Sequence, residues 1–594
     1  MVRERNEVDG KYKWDVESIY NNTEEWEKDF EKVKEDIIKL NEFEGEICNS
    51  PESLIEFLEL REDANRRLEK LSRYARMKYD EDTRVQDFQA LKSRASSLGT
   101  RFSSATSFVV PEIQEAGREK IENFMGEEKQ LAKYEQYFDD ILRREKHTRS
   151  KEVENVLSSL GDVLSGSSNT YSILTNADIE FGQIEHGDES IEITKSNFTT
   201  LLQDKDREKR RKVYKRVYDR LHEFRNTIST TMETQVKKDV KLAENRNYDS
   251  ARERSLNDSN IPIEVYDNLV DVASQNADLV QRHAELKKKV LEVDEMKMHD
   301  IYMPLAESES PEIEYEDAKE HVIEAVKPLG EEYQEKLREG LESGWIDVYE
   351  NKGKRSGAYS GGAYDTKPFI LLNYQNDVSS MFTLAHELGH SMHSKLAKES
   401  QPYIYSGYEI FVAEVASTVN EALLARHLLN NVEDEEFRKH VLSHFLENFR
   451  STFFRQTMFA EFEQEIHEKV ENGEALTAEE LNEVYGELKS KYYSNVGIDE
   501  RIKREWMRIP HFYYNFYVFQ YSTGISSALD IVSRIMNGEE GAVEDYLEML
   551  GSGSSDYPVE LLKGSGVDLT TKEPFEKAMD RYEKRLDQME ELVQ

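Results

Sequence analysis

The sequence predicts a mainly α protein. Three observations carry this. Apolar residues recur at helical spacing through long charged stretches, prolines number only 11 in 594 residues, and strand-like alternation is confined to short segments. Proline breaks helix interiors, so its scarcity leaves room for long uninterrupted helices. The first element is typical. Trp26, Phe30, Val33, Ile37 and Leu40 line one amphipathic face. Asn22, with Glu25 three residues on, marks its start. Similar charged, periodic stretches continue to about residue 175.

The pattern changes at "ADIEFGQIEHGDESIEIT". Ile179 and Phe181, then Ile191 and Ile193, alternate around a turn containing Gly187, which reads as a β-hairpin. A division is expected there, into 1–190 and 191–594. Helix resumes at Ser196. The basic run between Lys205 and Lys212 is interleaved with acidic residues and reads as a solvated helix face. Glycines cluster over about 340–376, where "PFILLNY" is strand-like. The Gly/Ser-rich stretch at 551–568 reads as an interhelical loop.

At 594 residues the chain exceeds the size at which single cores usually split, and roughly three to five interlocking domain-sized units are expected. Its 31 Tyr and 25 Phe argue against disorder. The net charge of −41 disfavours nucleic-acid binding, which needs Lys and Arg against phosphates. Cys48 is alone, which excludes an intrachain disulfide or a Cys-based metal site and fits a reducing compartment. The start "MVRERNEVDGKYKWDV" shows no secretory h-region, and no apolar run reaches membrane-span length. A cytoplasmic protein without membrane partners is expected.

Chemistry concentrates in "SSMFTLAHELGHSMHS". Residues i and i+4 share a helix face, so His386 and His390 can offer two imidazoles to one cation. Glu387 can act on a metal-bound water as general base. A chance H-E-x-x-H arises in roughly one such chain in twenty-five, so a third ligand is required. Leu384, Leu388 and Met392 form an apolar stripe, so the helix packs into a core. Two downstream carboxylates compete: Glu409 after 18 intervening residues, a spacing found in one class of zinc aminopeptidases, and Glu414 after 23. Glu409 follows Gly407 and Tyr408 near a helix start. Glu414 lies in an apolar helical run with Phe411, Val412, Val415 and Ala416, and that context favours it. Glu421, two turns further on the same face, can accept hydrogen bonds from the ligand histidines.

Water attack on a carbonyl builds a negative oxygen that a side-chain donor can stabilise. In "RIPHFYYNFYVFQYSTG", Tyr514, Tyr517 and Tyr521 fall within about 60° on a helix wheel, with His511 at the edge of that face. Gly357 to Gly362 precede the strand-like run, and an edge strand there could add a peptide backbone to the sheet.

These segments, "HELGHSMHS", "FVAEVASTVNEALL", "RIPHFYYNFYVFQYSTG" and "YPVELLKGSGVD", with "GKRSGAYSGGAYDTKPFILLNY" before them, resemble the oligoendopeptidase F group of the M3 (thimet oligopeptidase-like) zinc metallopeptidases. The motifs run from about residue 350 to 568; the N-terminal "WDVESIYNNTEEWE" is less diagnostic. The resemblance implies two largely helical lobes enclosing a deep substrate channel, with a small β-sheet beside the zinc helix. It implies an endopeptidase acting on short oligopeptides with one Zn²⁺ per chain. By motif position His386, His390 and Glu414 become zinc ligands and Glu387 the base. His511, Tyr514, Tyr517 and Tyr521 match the substrate and transition-state group. Related thimet-type enzymes place their tyrosines at other offsets from the His, which leaves the oxyanion donor open among the three. The alternatives are a zinc aminopeptidase or carboxypeptidase on a similar frame, or a helical peptide-binding protein with a degenerate site.

Overall fold

The protein is described from a computed structural model covering residues 2–593 apart from 188, 307 and 309. It is mainly helical, as the periodicity predicts. Helix α1 (Thr23–Asn41) starts where Asn22 accepts the Glu25 backbone N–H, and it buries Trp26, Val33, Ile37 and Leu40. It packs with α2 (Pro51–Glu81) and α3 (Gln86–Ala105). The indole N–H of Trp26 donates to the Leu71 carbonyl, which removes the cost of burying that polar atom.

The expected hairpin is present as β1 (Gln183–His186) and β2 (Glu189–Glu192), antiparallel with Ile184 opposite Ile191. Ile179, Phe181 and Ile193, just outside the ladder, are buried. The next long helix, α4 (Arg207–Glu223), carries the basic run. Not all of it is solvated, contrary to the sequence reading. Arg210 is 1% exposed and pairs with the fully buried Asp300 at 2.7 Å, with Arg207 on the same carboxylate at 2.8 Å. A buried carboxylate needs such a partner, and that need draws the arginine inward. Arg211 with Glu208 remains on the surface.

Beyond it, β3 (Ile346–Asp347), β4 (Tyr359–Gly361) and β5 (Phe369–Leu371) form a three-stranded sheet. The order is β3-β5-β4, with β4 antiparallel on an edge. Helices α5 (Val378–Ser400), α6 (Ile410–Asn431) and α7 (Phe519–Met536) follow. No helix among the described residues is long and apolar enough to cross a membrane.

Two compact units emerge, each discontinuous in sequence. One comprises Met1–Thr148, Pro311–His427 and Ile531–Gly566; the other Arg149–Ser310, Leu428–Asp530 and Val567–Gln594. This interleaving differs from the consecutive stretches 1–190 and 191–594 expected from the sequence. In the first unit its origin is visible: Phe369 and Leu371 of β5 belong to the same hydrophobic core as α1, α2 and α3. A strand buried on the N-terminal helices brings the following helix with it.

Candidate active site

Helix α5 begins at Asp377, whose carboxylate accepts the Ser380 N–H, an N-cap set just before an apolar-periodic run. Its core face carries Leu384, Leu388 and Met392, all fully buried. His386 and His390 project together from consecutive turns, with ring centroids 4.8 Å apart.

What completes the site is how closely α6 crosses α5. A Cβ at Gly389 would lie 2.6 Å from both the Ala416 carbonyl oxygen and the Ser417 Cα. Only glycine permits that approach. The Asn420 amide donates to the Ala385 carbonyl across the same crossing, and Tyr333 donates to Asn420. The crossing delivers two carboxylates from one face of α6, two turns apart. Glu414 Oε2 lies 3.5 Å from His386 Nε2 and 3.6 Å from His390 Nε2, and the two Nε2 atoms are 3.2 Å apart. Glu421 Oε1 lies 2.6 Å from His386 Nδ1.

This donor set fits a metal ion. Bonds of about 2.0–2.1 Å in a tetrahedron put ligand atoms about 3.3 Å apart, close to the three separations seen. His386, His390 and Glu414 form the one such cluster among the described residues, and Glu409 is not part of it. Glu409 precedes α6, which begins at Ile410. Glu414 is half-buried rather than buried as its apolar neighbours suggested. Glu421 accepts the Nδ1 proton of His386, which leaves Nε2 free to bind a cation.

The electrostatics follow from burial beside these charges. Burial lowers the His386 pKa, but Glu421, Glu414 and Glu387 outweigh it and hold the group up to about 9. Burial and the neighbouring His386 push His390 down to about 4. Burial raises the Glu387 carboxyl to about 7; His386 opposes this, while Glu414 and Glu421 add to it. Glu387 is buried, and its Oε2 has no hydrogen-bond partner in the structure. An unpaired buried carboxylate oxygen beside a ligand cluster is suited to receive a proton from a reacting group. Edge strand β4 is tied to α5 by the Ser360 and Ser391 hydroxyls, 2.8 Å apart.

Sequence reasoning missed part of this surround. His393 is buried and stacks on Tyr408 at 3.6 Å between centroids, and the Tyr408 hydroxyl donates to the His390 carbonyl. His393 lay within the stretch already singled out, but its spacing carries no ligand signal. Gly389 carries no sequence signal of the crossing, because its partner Ala416 lies on another helix.

The second candidate region, described by itself, departs from the helix wheel. Residues Pro510–Tyr513 form one 3₁₀ turn, the chain then bends through left-handed Asn515 (φ 48°) and Phe516 (φ 55°), and α7 starts only at Phe519. Tyr514 and Tyr517 therefore lie outside α7. The rings nevertheless gather. His511 is 5.8, 6.4 and 6.2 Å from Tyr514, Tyr517 and Tyr521, and Tyr517 is 5.5 Å from Tyr521. Tyr514 is 57% exposed and the other three are half-buried. Burial, then Arg455, lowers the His511 pKa and favours its neutral form. The segment enters from a buried ion cluster in which Glu505 meets Lys489 at 2.7 Å and Arg455 and Arg508 at 2.8 Å.

Comparison with known proteins places the chain in a family. The profile of peptidase family M3 matches residues 200–581, and that of oligopeptidase F matches 112–181. The chain is 46% identical to oligopeptidase PepF of Bacillus subtilis over 596 residues, covering 100% of this chain and 89% of that one. It is 40% identical to an oligoendopeptidase F homolog of Lactococcus lactis, covering 100% and 99%. The crystal structure of oligoendopeptidase-F from Enterococcus faecium superposes with a TM-score of 0.76 at 37% identity, covering 96% of this chain and 99% of that one. Full-length identity at this level, joined to the matched profiles, makes the chain a peptidase of family M3, in its oligoendopeptidase F group.

Proposed function

We propose that the protein is a zinc-dependent endopeptidase that hydrolyses internal bonds of short oligopeptides. The observation that carries this is the arrangement of His386, His390 and Glu414 with the adjacent Glu387 carboxylate, whose Oε2 has no hydrogen-bond partner in the structure. The donor set is that of catalytic zinc sites, two imidazoles and a carboxylate with room for a further ligand. When bound, zinc would acidify a water molecule and polarise the scissile carbonyl.

The chain's own residues supply the rest. Glu387 takes a proton from the attacking water and passes it to the leaving amine, the two transfers that one positioned carboxylate can make. Glu421 orients His386 through its Nδ1 proton. Edge strand β4 is placed to add an extended peptide to the sheet. His511 and one of Tyr514, Tyr517 and Tyr521 donate to the oxyanion. Oligopeptides are the partners; the strongly acidic chain suits neither nucleic acid nor an anionic membrane surface. The single cysteine suits a cytoplasmic location.

The test is a quenched oligopeptide blocked at both ends, which exopeptidases cannot cut. The wild type should cleave it. Glu387→Gln should keep its zinc and lose about 10²- to 10⁴-fold in kcat. Unchanged turnover by that variant, or cleavage only of peptides with a free end, sinks the reading.

A further inference from the structure

We infer that Glu463 is a positioning residue: its buried carboxyl holds the left-handed turn at Asn515 and Phe516, and with it the rings of Tyr514 and Tyr517 on either side. This rests on the reading that His511 and the tyrosines handle substrate.

Glu463 sits on the Arg455–Glu471 helix and is completely buried. Its Oε1 accepts the Phe516 backbone N–H at 3.0 Å, and its Oε2 has no hydrogen-bond partner in the structure. A core position that keeps a carboxyl costs stability unless the carboxyl serves something. Here it serves one backbone amide, in a residue whose φ of 55° is unfavourable for a side chain as large as Phe. Strain of this kind persists only where the surroundings over-determine it.

The surroundings do so. The Ser255 hydroxyl donates to the Asn515 carbonyl at 2.7 Å. The Gln235 amide donates to the Tyr513 carbonyl at 3.3 Å, and the Tyr513 ring stacks on Tyr171 at 4.3 Å. One turn after Glu463, His467 hydrogen-bonds through Nδ1 to the Glu463 backbone carbonyl, and its ring packs 4.6 Å from Phe516. The tethers converge on residues 513–516, between His511 and Tyr517.

The charged and titratable groups facing the carboxyl are Asp239 and Tyr266. Burial raises the carboxyl to about 8, so it is chiefly neutral at pH 7. A neutral acid accepts the Phe516 N–H as an amide oxygen would. Glutamine is therefore the conservative replacement, and leucine the one that removes the acceptor.

The experiment measures kcat, KM, zinc content and thermal midpoint for zinc-loaded E463L, E463Q and S255A, beside Y514F, Y517F, Y521F and H511A. E463L is expected to lose about 10- to 100-fold in kcat through misplaced rings, with zinc content unchanged. E463Q is expected to restore most of that loss. S255A, which removes a second tether without emptying the core, is expected to lose roughly two- to tenfold. Wild-type kcat in E463L, or E463Q as impaired as E463L, overturns the inference. If E463L does not fold, S255A decides, and unchanged kcat there overturns it. If no ring variant lowers kcat, the reading beneath it has failed. If a ring variant does and the tether variants do not, the positioning role alone has failed.

Discussion

The metal-ligand cluster and the aromatic turn are built by opposite means. The first uses two regular helices: α5 sets His386 and His390 by helical periodicity, and α6 repeats the device with Glu414 and Glu421. Its precision comes from backbone hydrogen-bond ladders and one close crossing at Gly389. The second abandons regular structure. Asn515 and Phe516 adopt left-handed backbone angles, and side-chain tethers replace the ladder. Ligands that must share one ion need fixed separations, which helices supply. Rings proposed to surround a substrate need varied directions, which a break in the helix supplies.

If the two regions do different work, substitutions should separate them. Of three such substitutions, the largest effect is expected in the aromatic turn. Removing the hydroxyl of whichever of Tyr514, Tyr517 and Tyr521 meets the oxyanion should lower kcat about 10²- to 10³-fold with zinc content unchanged. Steady-state kinetics with metal analysis of the three Tyr→Phe variants checks this. Loss of zinc from any of them would erase the separation. Next is Glu421→Ala. Without its partner at Nδ1, His386 should bind zinc about 10- to 100-fold more weakly, as competition with a chelator reads out. An unaltered affinity would show that α6 contributes Glu414 alone. The smallest is Gly389→Ala. The new methyl group meets helix backbone that cannot rotate away, so the helices must part. A stability loss of about 1–3 kcal/mol, with weakened zinc binding, is expected from denaturant titration. A neutral result would mean that the crossing tolerates separation.

The same contrast explains what could be read in advance. The His386–His390 pair, the apolar stripe beneath it and the position of Glu414 within a helix all express a 3.6-residue period, which a sequence displays. The start of α1 at Asn22 is likewise a local signal. The aromatic segment misled because Tyr514, Tyr517 and Tyr521 also match that period, while its left-handed bend includes Phe516. Phenylalanine carries no signal for a positive φ, and the carboxyl that stabilises the turn lies about fifty residues earlier in the chain. Gly389 and Arg210 were illegible for a related reason. Their roles depend on partners, Ala416 and Asp300, that only the folded chain brings near.

The central claim is that Glu414, not Glu409, completes a zinc site with His386 and His390. Zinc stoichiometry of purified wild-type, Glu414→Ala and Glu409→Ala proteins, each measured with its activity on the end-blocked peptide, tests it directly. The account predicts one zinc per chain in the wild type and in Glu409→Ala, with zinc and turnover both lost in Glu414→Ala. Zinc lost from Glu409→Ala and kept in Glu414→Ala, or full activity in a zinc-free wild type, would contradict it.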